Sequence, residues 1–294
     1  MLDISGLKRR ARLIQAIRSF FVLHGYLEVD TPVRLPCLLP EAHIEPETSR
    51  DWYLQTSPEI CMKRLLAAGI PKIFQICKCF RRHERGNRHL PELTMLEWYR
   101  RDSDYHDLMA ECEELFLFLA NELSMTPEGC VLDSPWQRLT VAKAFALYAE
   151  ISLSEALADN SFDEILVRDI EPNLGQERPT FLYNYPAELA SLSRLKSADP
   201  AVAERFELYI NGLELANGFS ELTDPLEQRT RFEKELRLAR SLGHATQTMP
   251  ELFLRDLGRI DQAAGIALGI DRLAMTFLGA ERIDEVVAFI PEEL

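Results

Sequence analysis

No apolar run among these 294 residues is long enough to cross a bilayer, and the opening MLDISGLKRRARL lacks the apolar centre of a secretory signal. Basic residues are scarce: 33 Lys and Arg stand against 47 Asp and Glu, a formal net charge of -14. That balance excludes the broad basic footprint of non-specific nucleic-acid binding, though not a small basic patch. The six cysteines, Cys37, Cys61, Cys77, Cys79, Cys112 and Cys130, form no CxxC pair. Their spacing therefore indicates reduced thiols rather than zinc or a disulfide framework. Glycine-rich GxGxxG and Walker sequences, internal repeats and low-complexity segments are absent as well. What remains is a soluble, cytoplasmic, globular chain, 47% hydrophobic and large enough for one sizeable core.

What is present is concentrated between Phe80 and Arg100. Arg81, Arg82, His83, Arg85, Arg88 and His89 crowd one loop of an acidic chain, a local reversal of charge that suits an anion. The loop lies between KIFQICKCFR and TMLEWYR, which read as antiparallel strands. Glu97 and Tyr99 share one strand face because strand side chains alternate. Arg81 ends its own strand toward that face, where a guanidinium can grip a carboxylate or phosphate. Its bland alternative is a loop salt bridge to Glu84 or Glu92. A carboxylate and a phenol suited to an ammonium group thus stand beside a phosphate-sized positive loop.

Elsewhere, Leu7, Ala11, Ile14, Ile17 and Phe21 recur at helical spacing up to a stop at His24-Gly25. YLEVDTP reads as a strand ended by Pro32. Ser57-Pro58-Glu59 opens a helix with Ser57 as N-cap and Pro58 in the first turn, and Gly69 closes it. A helix spans Asp107 to Leu123, and 124–178 reads as helical and peripheral. TFLYNYP and ERFELYINGLELANGFSEL read as strands, followed by a helix near 225–242. Gly-rich AAGIALGI forms a last strand before a helix that begins near Asp271. Asn211-Gly212 is a type I′ hairpin signal. With that turn Tyr209 opposes Glu214 and Glu207 opposes Ala216, so Glu207 and Glu214 share a face as diagonal neighbours. Two carboxylates so placed call for a cation, either Mg²⁺ or Arg205 on the same face. His43, His106 and His244 read as surface residues; Trp52, Trp98 and Trp136 read as core or cleft wall. Strands in antiparallel pairs flanked by helices give an α+β fold.

With these segments in order, the chain resembles the catalytic domain of class II aminoacyl-tRNA synthetases, specifically the lysyl subgroup, over nearly its full length. HGYLEVDTP is similar to the first class motif, FRRHE…RHLPELTMLEWY to the second and GIALGIDRLAM to the third. ERFELYINGLELANGFSEL is similar to the lysyl hairpin. The chain starts close to its first helix, leaving no room for an N-terminal anticodon-binding barrel, and Ala267 stands where lysyl-tRNA synthetases have glycine. Both features are shared by the lysyl-synthetase paralogues that attach (R)-β-lysine to a lysine of elongation factor P. LYNYPAELASL and ALGAERIDEVVAFIPEE are similar to that group too.

The resemblance implies an antiparallel sheet flanked by helices in a single catalytic domain over 1–294, ATP as co-substrate, Mg²⁺, a homodimer through the first motif, and no direct tRNA binding. It places Ser57, Pro58, Glu59, Glu97, Tyr99, Asn217, Glu221 and Ala267 around the amino acid. Glu59 would face an amino group, and Tyr99 and Glu221 the ε-ammonium. Arg81 would bridge the substrate carboxylate and α-phosphate, and Arg272 would hold the γ-phosphate. Arg82, His83, His89, Leu90, Glu214, Leu215 and Gly269 would line the nucleotide, and Glu207 with Glu214 would hold Mg²⁺. The chain departs from the family at His83, where a glutamate usually meets adenine, and at Leu90 and Leu93, where Asn and Phe are usual. A lysine- or nucleotide-binding paralogue without catalysis, or an enzyme activating α-lysine, are the rival expectations.

Overall fold

The computed structural model describes residues 2–244 and 247–294. The first helix, α1 (Ile4–Leu23), starts where the Asp3 carboxylate accepts from the Gly6 N–H at 2.6 Å. Leu13, Ile17, Phe20 and Phe21 form its buried stripe, and Gly25, at φ 75°, turns the chain after it. The next strand, β1, is only Leu27–Glu28 and does not run on to Pro32. Then β2 (Arg34–Leu35), β3 (Thr48–Ser49) and β4 (Trp52–Leu54) make a separate small sheet in the order β2-β4-β3. Trp52 is 41% exposed with the Arg34 guanidinium 4.7 Å above its ring, so it is neither core nor buried wall. Trp98 and Trp136 are buried.

Helix α2 (Glu59–Ala67) begins one residue later than Ser57 as N-cap would require. Ser57 Oγ still accepts from the Glu59 N–H at 3.1 Å, but its own proton goes to Glu97. Strands β5 (Lys72–Phe80) and β6 (Glu92–Arg101) pair antiparallel as read from the sequence, with Gln75 opposite Glu97. Helix α3 (Tyr105–Leu123) starts two residues before Asp107, because Asp104 and Asp107 form a reciprocal capping box. The stretch 124–178 is not purely helical. It contains β7 (Gln137–Thr140), then short helices α4 (Val141–Tyr148), α5 (Leu153–Ala158) and α6 (Phe162–Ile165). β8 (Thr180–Pro186), β9 (Leu195–Lys196), β10 (Asp199–Ile210) and β11 (Leu213–Ser220) follow. Helices α7 (Pro225–Ser241) and α8 (Glu251–Leu257) precede β12 (Ala263–Gly269) and α9 (Ile270–Leu278).

The main sheet has nine strands among the described residues, in the order β1-β5-β6-β12-β11-β10-β8-β7, with β9 on β10. Its centre is antiparallel, as expected. At both margins, β1 with β5 and β7 with β8, the pairing is parallel, a mixture the sequence reading did not foresee. Alternation gives the sheet two unlike faces. On one, Phe74, Trp98, Ile266, Gly218 and Phe206 lie opposite one another across five strands and pack into the core beneath α1, α3 and α9. Gly218 is obligatory there, since a Cβ would meet the Phe206 ring at 2.7 Å. The other face carries polar and small side chains and lies under α2 and the loops before it.

Candidate active site

On that second face one register row runs Gln75–Glu97–Ala267–Asn217–Glu207. The next row runs Ile73–Tyr99–Gly265–Phe219–Arg205. Between these flanking strands β12 contributes only small residues to this face, Ala263, Gly265, Ala267 and Gly269, and this low strip is the channel between the two walls. Ala267 thus sits directly between Glu97 and Asn217.

At one end of the channel the walls are acidic. Ser57 Oγ and Tyr99 Oη donate to the two oxygens of Glu97, each at 2.6 Å. Glu97 is 1% exposed; burial first, then repulsion from Glu59, pushes its carboxyl up to about 8 against the pull of those two hydrogen bonds. Glu221, beyond the end of β11, is held in place by its N–H donating to the Ala263 carbonyl at 2.9 Å. Its side chain is fully buried, and burial raises its pKa although Lys63 opposes this. The Glu221 Oε1 makes no hydrogen bond. Gly265 makes room for this arrangement, since a Cβ there would collide with both the Tyr99 ring and the Glu221 carboxylate.

Sequence reasoning missed two groups at this end, Lys63 and Glu41. Lys63, 1% exposed and one helical turn after Glu59, bridges Glu59 and Glu221. Burial works to lower its pKa, but the two carboxylates more than offset it and hold the ammonium charged. The i, i+4 spacing on an apolar helix could have shown it. Half-buried Glu41, in the loop joining the small sheet, is pushed up to about 7 by desolvation and by Glu59, with Arg81 pulling the other way. No local pattern marks it. Arg205, weighed above as the cation for the hairpin carboxylates, is half-buried over the Tyr185 ring and donates to Asn217 Oδ1 at 3.2 Å and to Glu207 at 2.7 Å.

The hairpin carries the other end. Tyr209 opposes Glu214 as expected, but Glu207 faces Asn217, not Ala216, because a bulge between these pairs makes Leu215 the extra residue. Leu215 is buried, with its backbone outside the ladder to β10. Glu207 keeps one oxygen on Arg205 and the other on the Tyr185 and Tyr209 hydroxyls, at 2.5 and 2.7 Å. The arginine alternative to a metal is therefore the one seen for Glu207. Glu214 gives one oxygen to Arg272 at 3.1 Å. No three His, Cys, Asp or Glu side chains converge on one point among the described residues. Glu214 with phosphate oxygens fits Mg²⁺, which needs only one or two carboxylates; Glu207 is engaged otherwise.

The six cations of the loop do not act together. Arg82 and His83 turn to Glu45, at 2.8 and 3.6 Å, and Arg85 is tied to Glu292 and Asp284 near the C-terminus. His83 lies at φ 65° and is exposed. Arg88 donates to the Gly212 carbonyl, while Arg272 donates to the Glu214 carbonyl at 2.8 Å and meets His89 Nε2 at 2.5 Å. Burial and the Arg272 charge keep His89 below the ordinary imidazole range, so it is a neutral acceptor. Leu90 is buried in the large core cluster. Arg81 reaches Glu84 only at 3.9 Å, and its buried Nε has no partner. An orphaned guanidinium N–H beside the acidic pocket is the clearest anion-seeking group here.

A family model described as "tRNA synthetases class II (D, K and N)" matches residues 4–293. Among curated relatives, an "Elongation factor P--(R)-beta-lysine ligase" from Proteus mirabilis is 39% identical over 98% of this chain and 95% of its own length. Relatives of the same name from Salmonella gallinarum and Salmonella dublin are 39% and 40% identical at the same coverage. The chain therefore belongs to the class II tRNA synthetase family of the aspartyl, lysyl and asparaginyl type.

Proposed function

We propose that this protein activates (R)-β-lysine with ATP and transfers it to a lysine side chain of elongation factor P. The observation that carries the reading is the channel itself. Buried Glu97 and Glu221 and half-buried Glu59 stand at one end, Arg81 with its unpartnered Nε beside them, and Arg272 with Glu214 at the other. A guest with two ammonium groups satisfies acids that a neutral side chain would leave unpaired, and its carboxylate falls toward Arg81.

In the first step the amino-acid carboxylate attacks the α-phosphorus of ATP, and pyrophosphate leaves with the electrons of the broken bridge. Arg81 offsets charge developing on phosphorus, and Arg272 holds the departing phosphates. His89, neutral and acceptor to Arg272, fixes that guanidinium's direction. Glu214 would hold Mg²⁺, which when bound neutralises phosphate charge and orients the chain of phosphates. In the second step the neutral ε-amine of elongation factor P attacks the acyl carbon and AMP leaves, forming an amide. Ala267 would set the depth of the amino acid's backbone and favour an amino group one carbon further from the carboxylate.

Exposed Val22, Leu23 and Leu27 beside edge strand β1 support a homodimer through that edge, and six free thiols fit a reducing cytoplasm. No helix among the described residues is long and apolar enough to cross a membrane. The test is pyrophosphate exchange into ATP with β-lysine and α-lysine compared, followed by intact-mass analysis of elongation factor P. Expected are faster exchange with β-lysine and the mass gain of one lysyl group. Exchange with α-lysine alone, or none with either, overturns the reading.

A further inference from the structure

Lys63 places an ammonium group of the protein itself inside the pocket assigned above to the ammonium groups of a guest. It is 1% exposed and bridges Glu59, on its own helix, to Glu221, on the far wall. Its Nζ also lies 5.2 Å from the centre of the Phe219 ring. The remaining charged groups are few. Glu97 enters from β6 with Tyr99 on its oxygen. At the mouth, Glu41 and Arg81 bear opposite charges that act on one another. Burial favours the protonated forms of Glu97 and Glu221 until cations arrive; once all three inner carboxylates are ionised, one ammonium leaves two negative charges, which two further ammonium groups neutralise.

We propose that Lys63 is a specificity-determining residue that fixes this charge count and acts through Glu59 and Glu221. The inference rests on the amine-pocket reading given above and deepens it. With Lys63 present, a guest with one ammonium leaves a buried carboxylate unpaired, whereas a guest with two leaves none. Lys63 also explains how Glu59 and Glu221 coexist, since without it they would face each other across the pocket with no protein cation between them.

The test uses full-length protein and calorimetric binding of (R)-β-lysine and of 3-aminohexanoic acid, which has one ammonium group. Lys63→Met, Glu221→Gln and the double variant are compared after thermal unfolding has shown each to be folded. Wild-type protein should prefer β-lysine by about 100-fold or more, as expected when a buried polar site loses its partner. Glu221→Gln leaves one net negative charge and should reduce that preference to within about fivefold, a factor set by the same unpaired-group penalty. Lys63→Met, with three negative charges, should weaken β-lysine binding by about 30-fold.

The double variant restores two negative charges and should bind β-lysine more tightly than Glu221→Gln, although it has lost two native groups. Weaker binding by the double variant than by Glu221→Gln, or an unchanged affinity and preference in Lys63→Met, overturns the inference alone. The comparison with Glu221→Gln stands even if Lys63→Met does not fold. Wild-type protein that binds neither compound overturns the amine-pocket reading, and the inference with it.

Discussion

The two ends of the channel solve opposite electrostatic problems in different ways. At the amine end the charges are buried and paired across secondary structure: Lys63 with Glu59 and Glu221, Ser57 and Tyr99 with Glu97. At the nucleotide end the charges are cationic, partly exposed and held by loop contacts, Arg82 and His83 to Glu45 and Arg272 to Glu214 and His89. Buried charges discriminate because Lys63 neutralises only part of them and water cannot supply the rest. Exposed ones bind a polyanion by number and can be rearranged when it arrives.

If that contrast holds, changes at the two ends fail differently. Arg81→Ala should reduce amino-acid-dependent pyrophosphate exchange by about 10³-fold, mostly in kcat, because its charge is needed most at the pentavalent phosphorus. Glu221→Gln should instead raise KM for β-lysine by about 10- to 100-fold with kcat far less affected, measured in the same assay. An equal loss of kcat in both variants would erase the distinction. Gly265→Ala, which sets a methyl against Tyr99 and Glu221, should cost about 1–3 kcal/mol in urea unfolding and lose amine binding with it.

Glu97 sharpens the comparison through pH. Its folded-state pKa is raised to about 8 from 4.5, so the folded protein holds this proton longer than the unfolded chain. The stability this contributes is complete below about 4.5 and is lost as pH rises toward 8. Glu97→Gln, which keeps one acceptor oxygen, presents a donor at the other position as the protonated acid can, and has no charge to bury, should match wild type near pH 4. It should become the more stable protein by pH 8, by on the order of 2–4 kcal/mol in denaturant titrations. The smallest effect belongs to the other end: Arg82→Ala breaks an exposed pair with Glu45 and should change stability by less than about 1 kcal/mol.

The strands around the site were legible because alternation and turn chemistry are local. Asn211-Gly212 fixed the hairpin, and the face shared by Glu97 and Tyr99 followed from spacing two. The bulge at Leu215 was not legible, since an extra residue in one strand follows from packing and not from the pattern, and it moved Glu207 opposite Asn217. β7 was hidden in a segment of weak periodicity, and its pairing with β8 depends on a distant partner, Gln137 lying opposite Thr180. The cationic loop misled for another reason. Charge density is visible in a sequence, but the destinations of Arg82, His83 and Arg85 are long-range contacts with Glu45, Asp284 and Glu292. Lys63 was overlooked because a lysine on a helix is ordinarily solvent-facing, and only the tertiary fold places Glu221 above it.

Along the floor, β12 presents a methyl at Ala267 and a hydrogen at Gly269, while Tyr99 and Glu221 close over Gly265. On the function proposed above, a strand so bare would work as a ruler, reading the length of what lies on it by volume, while the flanking strands would read charge. The two selections are mounted on different pieces of backbone, so a descendant of this chain could change the reach of its guest by one methyl without disturbing how that guest is recognised electrically.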